Sequence, residues 1–166
     1  MVIFGIDPGY AIVGYGVLRF DRNKFGVIDF GAVTTTPDMD FNDRLKCIYD
    51  DLTYLFLRYR PDALSIEKLF FNTNQKTAID VAEARGVILL AARKNDIPIF
   101  EYTPLQVKQS VVGYGRAEKK QVQEMTRQIL GLSEVPKPDD TADALAMAIC
   151  HAHCSCSGII GLVNRK

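Results

Sequence analysis

Hydrophobic residues follow two different periodicities along this chain of 166 residues. Near the N-terminus they form short apolar runs bounded by turn residues, which is typical of β-strands. These runs predict three strands, at residues 2–7, 14–20 and 25–35. Because the connections between them are short, with a turn at residues 21–24, we expect the three strands to form an antiparallel meander.

The rest of the chain alternates short apolar segments with longer segments of helical periodicity. Seven apolar or aromatic residues between Leu45 and Tyr59 fall on one helical face, and Pro61 follows them. The pattern then predicts strands at 63–67 and 97–101 and helices at 75–95, 104–112, 117–130 and 140–153. Antiparallel strands followed by strand–helix alternation predict an α/β domain with a mixed five-stranded sheet and helices on both faces.

The predicted helix over residues 75–95 is apolar on more than one side. Its Ala, Val, Ile and Leu residues are too many to share a single face. A helix with apolar groups all round needs burial on two faces. One face can lie on the sheet, and we expect the other to contact a second copy of the chain in a homodimer.

Length and composition are those of one domain, which we expect to span residues 1–166. Twenty Lys and Arg residues balance twenty Asp and Glu residues, so attraction to a nucleic acid requires a local basic patch. The first apolar run is broken by Asp7-Pro8-Gly9, unlike a signal peptide. No apolar stretch approaches the roughly 18 residues of a membrane span. We therefore expect a cytoplasmic protein without membrane association, with its four cysteines reduced.

Three of the cysteines lie close together near the C-terminus. Cys150, Cys154 and Cys156 share a short segment with two histidines, which makes zinc binding one interpretation. The spacing fits no common structural zinc pattern, however, and no second ligand pair lies elsewhere in the sequence. Since Cys150, His153 and Cys154 would share one helix face, packing explains the segment as well, and we favour packing.

Four acidic residues stand where strands end or a helix begins. Asp7 and Glu67 each end an apolar strand, and Asp140 and Asp143 open the last predicted helix. Each aspartate has a structural alternative, because aspartate is favoured in turns and in the first turn of a helix. Glu67 is harder to explain in this way, since a charged residue that ends a central strand needs a partner.

Taken together, the four carboxylates favour a metal site. If they converge at one edge of the sheet, they repel one another unless cations lie between them. Carboxylate oxygens are ligands that Mg²⁺ prefers, and two divalent cations match four negative charges. The set therefore predicts two Mg²⁺ ions per site, for which Mn²⁺ would substitute, and metal-assisted phosphodiester hydrolysis.

A basic segment precedes the last helix. Between residues 105 and 127, five basic residues outnumber two acidic ones. The plain interpretation is a solvated helix face, and the functional one is a patch that binds phosphates. The basic residues are Lys108, Arg116, Lys119, Lys120 and Arg127.

Five segments of the chain occur together in a recognisable order. They are Ile6-Asp7-Pro8-Gly9 with Gly14-Tyr15-Gly16, Ile66-Glu67-Lys68-Leu69-Phe70, Gln106-Val107-Lys108-Gln109, Ala117-Glu118-Lys119-Lys120-Gln121-Val122 and Asp140-Thr141-Ala142-Asp143-Ala144-Leu145-Ala146. In order and spacing this set resembles the RuvC family of bacterial Holliday-junction resolvases over nearly the whole chain. One position departs from the family pattern, because Tyr10 stands where the family usually carries a small hydroxyl residue.

The resemblance implies a ribonuclease-H-like fold and a homodimer that binds four-way DNA junctions. It implies symmetric nicking of two strands with magnesium, leaving 5′-phosphate and 3′-hydroxyl ends, in homologous recombination and DNA repair. By the same resemblance, Asp7, Glu67, Asp140 and Asp143 are the catalytic, metal-binding carboxylates. The partner that the family implies is the RuvA–RuvB branch-migration complex.

The resemblance also implies residues that contact DNA. It places Lys108 and Lys119 close to the scissile phosphate, and the basic patch adds Arg116 and Lys120. The aromatic residue that aligns with Phe70 stacks on a base near the crossover in the family, and a stacked base contributes about 1–3 kcal/mol.

Three other functions share some of these features. A sugar-kinase or actin-like ATPase also opens with a strand, an aspartate and a glycine-rich hairpin, but it needs two such domains to enclose ATP. Another ribonuclease-H-like nuclease, acting on RNA or an RNA:DNA hybrid, would use the same metal chemistry. A non-catalytic junction-binding module would be favoured if an acidic position were missing, and none is.

Overall fold

The computed structural model describes residues 1–68 and 75–156, and within these ranges five strands form one mixed sheet. The strands are β1 (Val2–Asp7), β2 (Ile12–Asp21), β3 (Lys24–Thr34), β4 (Ala63–Glu67) and β5 (Ile99–Tyr102). Their order across the sheet is β3-β2-β1-β4-β5. The first three strands are antiparallel, whereas β4 runs parallel to both β1 and β5. The predicted meander and mixed sheet are therefore confirmed.

Helices cover both faces of this sheet, as predicted. They are α1 (Phe41–Tyr59), α2 (Gln75–Lys94), α3 (Pro104–Val112), α4 (Lys119–Leu130) and α5 (Asp139–Cys156). Helices α1 and α2 enclose one hydrophobic cluster against the sheet. Helix α5 lies on the opposite face, with α3 and α4 packed against it around a second cluster. Within the described residues, no helix combines the length and apolar character needed to cross a membrane.

A few element boundaries differ from the predictions for local reasons. Helix α1 begins at Phe41, before the apolar periodicity that starts at Leu45. It does so because the carboxylate of Asp40 accepts a hydrogen bond from the backbone N–H of Asn42 at 2.9 Å, which caps the helix. Strand β5 begins at Ile99 rather than at residue 97, since the intervening Pro98 has no N–H to donate.

Helix α5 lies unusually close to the strands beneath it. A Cβ atom added to Gly5 would stand 2.0 Å from the carbonyl oxygen of Ala144, and one added to Gly14 would stand 2.0 Å from that of Asp140. Only glycine permits such an approach of a helix backbone to a strand. Gly14 therefore brings the first turn of α5 against β2, and Gly5 brings the following turns against β1. Gly14 pairs with Asp7, so the first turn lies near the end of β1 that carries this aspartate.

Candidate active site

Asp7 and Glu67 lie side by side at one edge of the sheet. They are the last residues of β1 and β4, which pair in parallel with Ile6 opposite Ile66. Because the carboxyl ends of parallel strands meet at the same edge, the residue after each isoleucine lies next to the other. Both isoleucines point into the cluster under α1 and α2, so Asp7 and Glu67 point to the face that α5 covers.

Helix α5 adds a third carboxylate to this edge. Asp143 lines a pocket of about 200 Å³ together with Asp7 and Glu67. Asp140 stands one turn earlier on the same helix, where its carbonyl oxygen rests on Gly14, and it is not part of the pocket lining. The two aspartates at the start of α5 therefore differ in position, although the sequence analysis predicts the same role for both.

The other walls of the pocket come from α3, α4 and α5. Lys108 and Lys119 are the basic residues of the lining. The remaining lining residues are Pro104, Val107, Val122, Ala146 and Met147. Sequence reasoning missed this apolar wall, although Val107 and Val122 stand in the same motifs as the two lysines.

An ion pair joins two residues of the pocket lining. The Nζ of Lys119 lies 2.7 Å from Oδ2 of Asp143. The lysine side chain is 58% exposed and the aspartate side chain 27% exposed. A pair this open to water contributes little to stability, so Lys119 is free to exchange its carboxylate partner for another anion.

Burial and crowding raise the pKa of two carboxyl groups in the pocket. The pKa of Asp7 rises from 3.8 to about 8, chiefly because the group is withdrawn from water and further because Asp143, Glu67 and Asp140 are negatively charged. The pKa of Glu67 is also raised, first by burial and then by Asp143. Lys119 lowers both pKa values. The other three predicted carboxylates are thus close enough to interact electrostatically with Asp7.

The donor set of this site fits divalent cations. In the described part of the chain, Lys119 is the one residue that forms an ion pair with any of the four carboxylates, so excess negative charge remains for a hard, oxygen-preferring cation to neutralise. Within residues 1–68 and 75–156, no three Asp, Glu, His or Cys side chains are already close enough to hold one ion together. Mutual repulsion and the contact between Lys119 and Asp143 both oppose a tighter cluster.

The remaining predicted DNA-contact residues are only partly located. Arg116 and Lys120 are exposed and do not line the pocket. Phe70 lies outside the described residues. Tyr10, the departure from the family pattern, packs against the start of α1, with its ring 6.0 Å from that of Phe41 and 5.9 Å from the guanidinium of Arg44.

The cysteine segment at the end of α5 is consistent with packing. Cys150 is fully buried in the cluster between α5 and the sheet, and Cys154 packs against that cluster. Packing therefore accounts for these two residues.

Comparison with known sequences gives the same picture as the fold. The family model described as "Crossover junction endodeoxyribonuclease RuvC" matches residues 3–151. A crossover junction endodeoxyribonuclease RuvC from Ruminiclostridium cellulolyticum is 62% identical over 153 residues, which are 92% of this chain and 92% of that protein.

Solved structures agree with these sequence matches. A Thermus thermophilus RuvC structure has a TM-score of 0.88 and 37% identity, and covers 95% of this chain and 97% of its own. A T. thermophilus RuvC in complex with a Holliday junction substrate has a TM-score of 0.87, 35% identity and the same coverages. The ribonuclease-H-like fold is thereby confirmed, and the ATPase alternative is excluded. The chain belongs to the RuvC family of crossover junction endodeoxyribonucleases.

Proposed function

We propose that this protein resolves four-way DNA junctions by paired, symmetric, metal-dependent nicks. The observation that carries the proposal is the meeting of Asp7, Glu67 and Asp143 in one pocket that also holds Lys108 and Lys119. Carboxylates that bind cations and lysines that bind phosphate are the two requirements of phosphodiester hydrolysis. Membership of the family, and the junction-bound T. thermophilus relative at 35% identity, support the choice of substrate.

Asp7, Glu67, Asp140 and Asp143 are the residues that would hold two Mg²⁺ ions, for which Mn²⁺ would substitute. When bound, such a pair activates the attacking water and stabilises charge on the leaving 3′ oxygen. Ion binding requires Asp7 to give up the proton that its raised pKa, about 8, otherwise retains. The products are 5′-phosphate and 3′-hydroxyl ends, which a ligase can rejoin.

Lysines 108 and 119 position the scissile phosphate in this scheme. Lys119 is free to leave Asp143 when a phosphate arrives, because their pair is open to water. Lys108 is half-buried in the α3 wall and lines the same pocket. Arg116 and Lys120 extend the basic surface outside the pocket, and Phe70 is proposed to stack on a base near the crossover.

Two copies of the chain would act together on one junction. Helix α2 leaves Ile79 66% exposed and Leu90 55% exposed, although it contacts the core with its other side. Two large apolar side chains exposed on one helix favour a symmetric contact, and a twofold dimer matches the near-twofold symmetry of a four-way junction. We therefore propose a homodimer with two active sites, one in each copy of the chain.

The cellular setting of this activity follows from the family alone. We propose a cytoplasmic role in homologous recombination and DNA repair. The partner there would be the RuvA–RuvB branch-migration complex, which delivers junctions.

Cleavage of three labelled substrates side by side tests the proposed function. With Mg²⁺ present, we expect nicks on a synthetic four-way junction and none on a plain duplex or an RNA:DNA hybrid, and a chelator should abolish them. Equal or faster cleavage of the hybrid would replace this proposal with the alternative nuclease. Junction binding without cleavage at any divalent cation concentration would favour a non-catalytic module.

A further inference from the structure

Arg85 connects helix α2 to the main chain of Glu67. Its Nε donates a hydrogen bond to the backbone carbonyl oxygen of Glu67 at 3.2 Å. Its Nη2 donates to the carboxylate of Glu101 in β5, forming an ion pair. The two paired side chains are only 12% and 9% exposed. A single guanidinium therefore ties α2 to the ends of two neighbouring strands.

This contact comes from the face of the sheet opposite to the pocket. Side chains alternate between faces along a strand. In β5, Phe100 and Tyr102 pack on the α5 side, so Glu101 between them faces α2. The carboxylate of Glu67, in contrast, lines the pocket on the α5 side. Arg85 thus bonds to the main chain of Glu67 on the side of the sheet away from the pocket and leaves the Glu67 carboxylate available to the pocket.

The chemistry of the contact favours positioning over simple stability. Taking two charges out of water is costly, and a buried ion pair is weak evidence of net stabilisation. A guanidinium, however, presents its donors in a rigid plane, so two acceptors bonded to it are fixed relative to each other. Here those acceptors are the Glu67 carbonyl and the Glu101 carboxylate, which fixes the last residue of β4 relative to β5.

We propose that Arg85 is a positioning residue for the metal site, acting through the backbone of Glu67. The inference rests on the proposed function, because it takes Glu67 as a cation ligand. Partners that orient a ligating side chain typically change metal affinity by about 10- to 100-fold when they are lost. Arg85, paired with Glu101, orients Glu67 in this way from the opposite face of the sheet.

Arg85→Lys separates positioning from charge. Lysine keeps the positive charge beside Glu101, but its single ammonium cannot reproduce the fixed pair of donors. We expect the dissociation constant for Mn²⁺, measured by calorimetry on the DNA-free protein, to rise by about 10- to 100-fold. Junction affinity measured in chelator should be unchanged. The matched control is Arg93→Lys, an exposed position on the same helix, which should leave both affinities at the wild-type values.

An unchanged Mn²⁺ affinity in Arg85→Lys would overturn the inference. If that variant fails to fold, as judged by its thermal transition, the same Mn²⁺ titration is made on Glu101→Gln. The amide oxygen of the glutamine still accepts a hydrogen bond from Arg85, so we expect a smaller weakening of Mn²⁺ affinity than in Arg85→Lys. An unchanged Mn²⁺ affinity in Glu101→Gln would then overturn the inference. Wild-type cleavage of a four-way junction with Mg²⁺ distinguishes this failure from failure of the proposed function, because absence of that cleavage would overturn the function itself. If the wild type cleaves but Glu67→Gln binds Mn²⁺ normally, Glu67 is not the ligand through which Arg85 is proposed to act.

Discussion

The two faces of the sheet are packed in opposite ways, and the difference explains where the site lies. Under α1 and α2 the space is filled by large side chains, such as Phe4, Phe56 and Leu52, which are 0–2% exposed. Phe4 and Phe56 meet edge to face with their ring centroids 5.0 Å apart. Under α5 the strands instead carry Gly5 and Gly14, which admit the helix backbone itself.

Close packing on the α5 face is what gathers the acidic groups. A helix held away from the sheet by large side chains would place its first turn too far from the strand ends to crowd Asp7. Because α5 rests on glycine, Asp140 and Asp143 both raise the pKa of Asp7. The α1–α2 face is thus filled by large apolar side chains, whereas the α5 face combines a second hydrophobic cluster with a crowded acidic site.

The largest effect on stability should come from the apolar face. Phe56→Ala removes a ring that is 2% exposed, and a core change of this kind costs about 3–5 kcal/mol of unfolding free energy. At a temperature where the variant remains folded, we expect its junction cleavage rate to match the wild type. Leu57→Ala, at a neighbouring position that is 62% exposed, is the control and should change stability by less than about 0.5 kcal/mol.

A smaller loss of stability with a larger loss of activity is expected on the glycine face. Gly14→Ala would place a Cβ 2.0 Å from the carbonyl oxygen of Asp140, so α5 must shift. Overpacking of this kind costs about 1–3 kcal/mol by denaturant titration. Cleavage should fall as well, because the shift moves Asp140 and Asp143 relative to Asp7.

Gly26→Ala provides the matched control for that substitution. Gly26 lies on the edge strand β3, where an added Cβ would have its nearest neighbour at 3.9 Å. We expect wild-type stability and cleavage from this variant. Equal effects of the two substitutions would contradict the importance of the close α5 contact.

The last effect is the pH dependence of stability in metal-free protein, which is the smallest only when it is expressed per pH unit. Asp7 has a pKa of about 8 in the fold against 3.8 unfolded, so the folded state binds more protons between these values. The contribution of Asp7 to the free energy of unfolding is therefore fully present below pH 3.8 and is lost as the pH rises towards 8. The contribution of Asp7 to the slope of this pH dependence is at most about 1.4 kcal/mol per pH unit. Asp7→Asn should remove that contribution, whereas the one from the raised pKa of Glu67 remains.

His151 acts in the opposite direction and must be separated from this effect. Burial lowers its pKa to about 4 from 6.5, so its contribution to stability is lost as pH falls through that window. Since His151 is present in both proteins, the difference between wild type and Asp7→Asn isolates Asp7. Asp21→Asn, which removes an exposed carboxylate at the end of β2, is the matched control. If the dependence of unfolding free energy on pH is unchanged in Asp7→Asn, the proposed burial and crowding of the Asp7 carboxyl group would be contradicted.

Part of the site could be predicted from the sequence because it depends on local pattern. Asp7 and Glu67 end apolar strands, and the parallel pairing of such strands brings their ends together. What the sequence could not separate was Asp140 from Asp143. Which of the two lines the pocket depends on how α5 is rotated on the sheet, and the contact with Gly14 sets that rotation.

Tertiary contacts account for the other differences between prediction and structure. Lys119 belongs to α4 and Asp143 to α5, so their ion pair depends on how two helices pack rather than on any spacing along the chain. The contact from Arg85 to the Glu67 carbonyl crosses the sheet in the same non-local way. The start of α1 was instead predictable, because Asp40 is a typical helix-capping residue.

The most direct test of the central claim is the single-turnover cleavage rate of a synthetic four-way junction at saturating Mg²⁺, for wild type, Asp7→Asn and Glu67→Gln. Losing several kcal/mol of transition-state stabilisation lowers the cleavage rate by a factor of about 10³ or more. We predict that loss in both variants, with junction affinity in chelator unchanged. Cleavage at the wild-type rate by either variant would contradict the account.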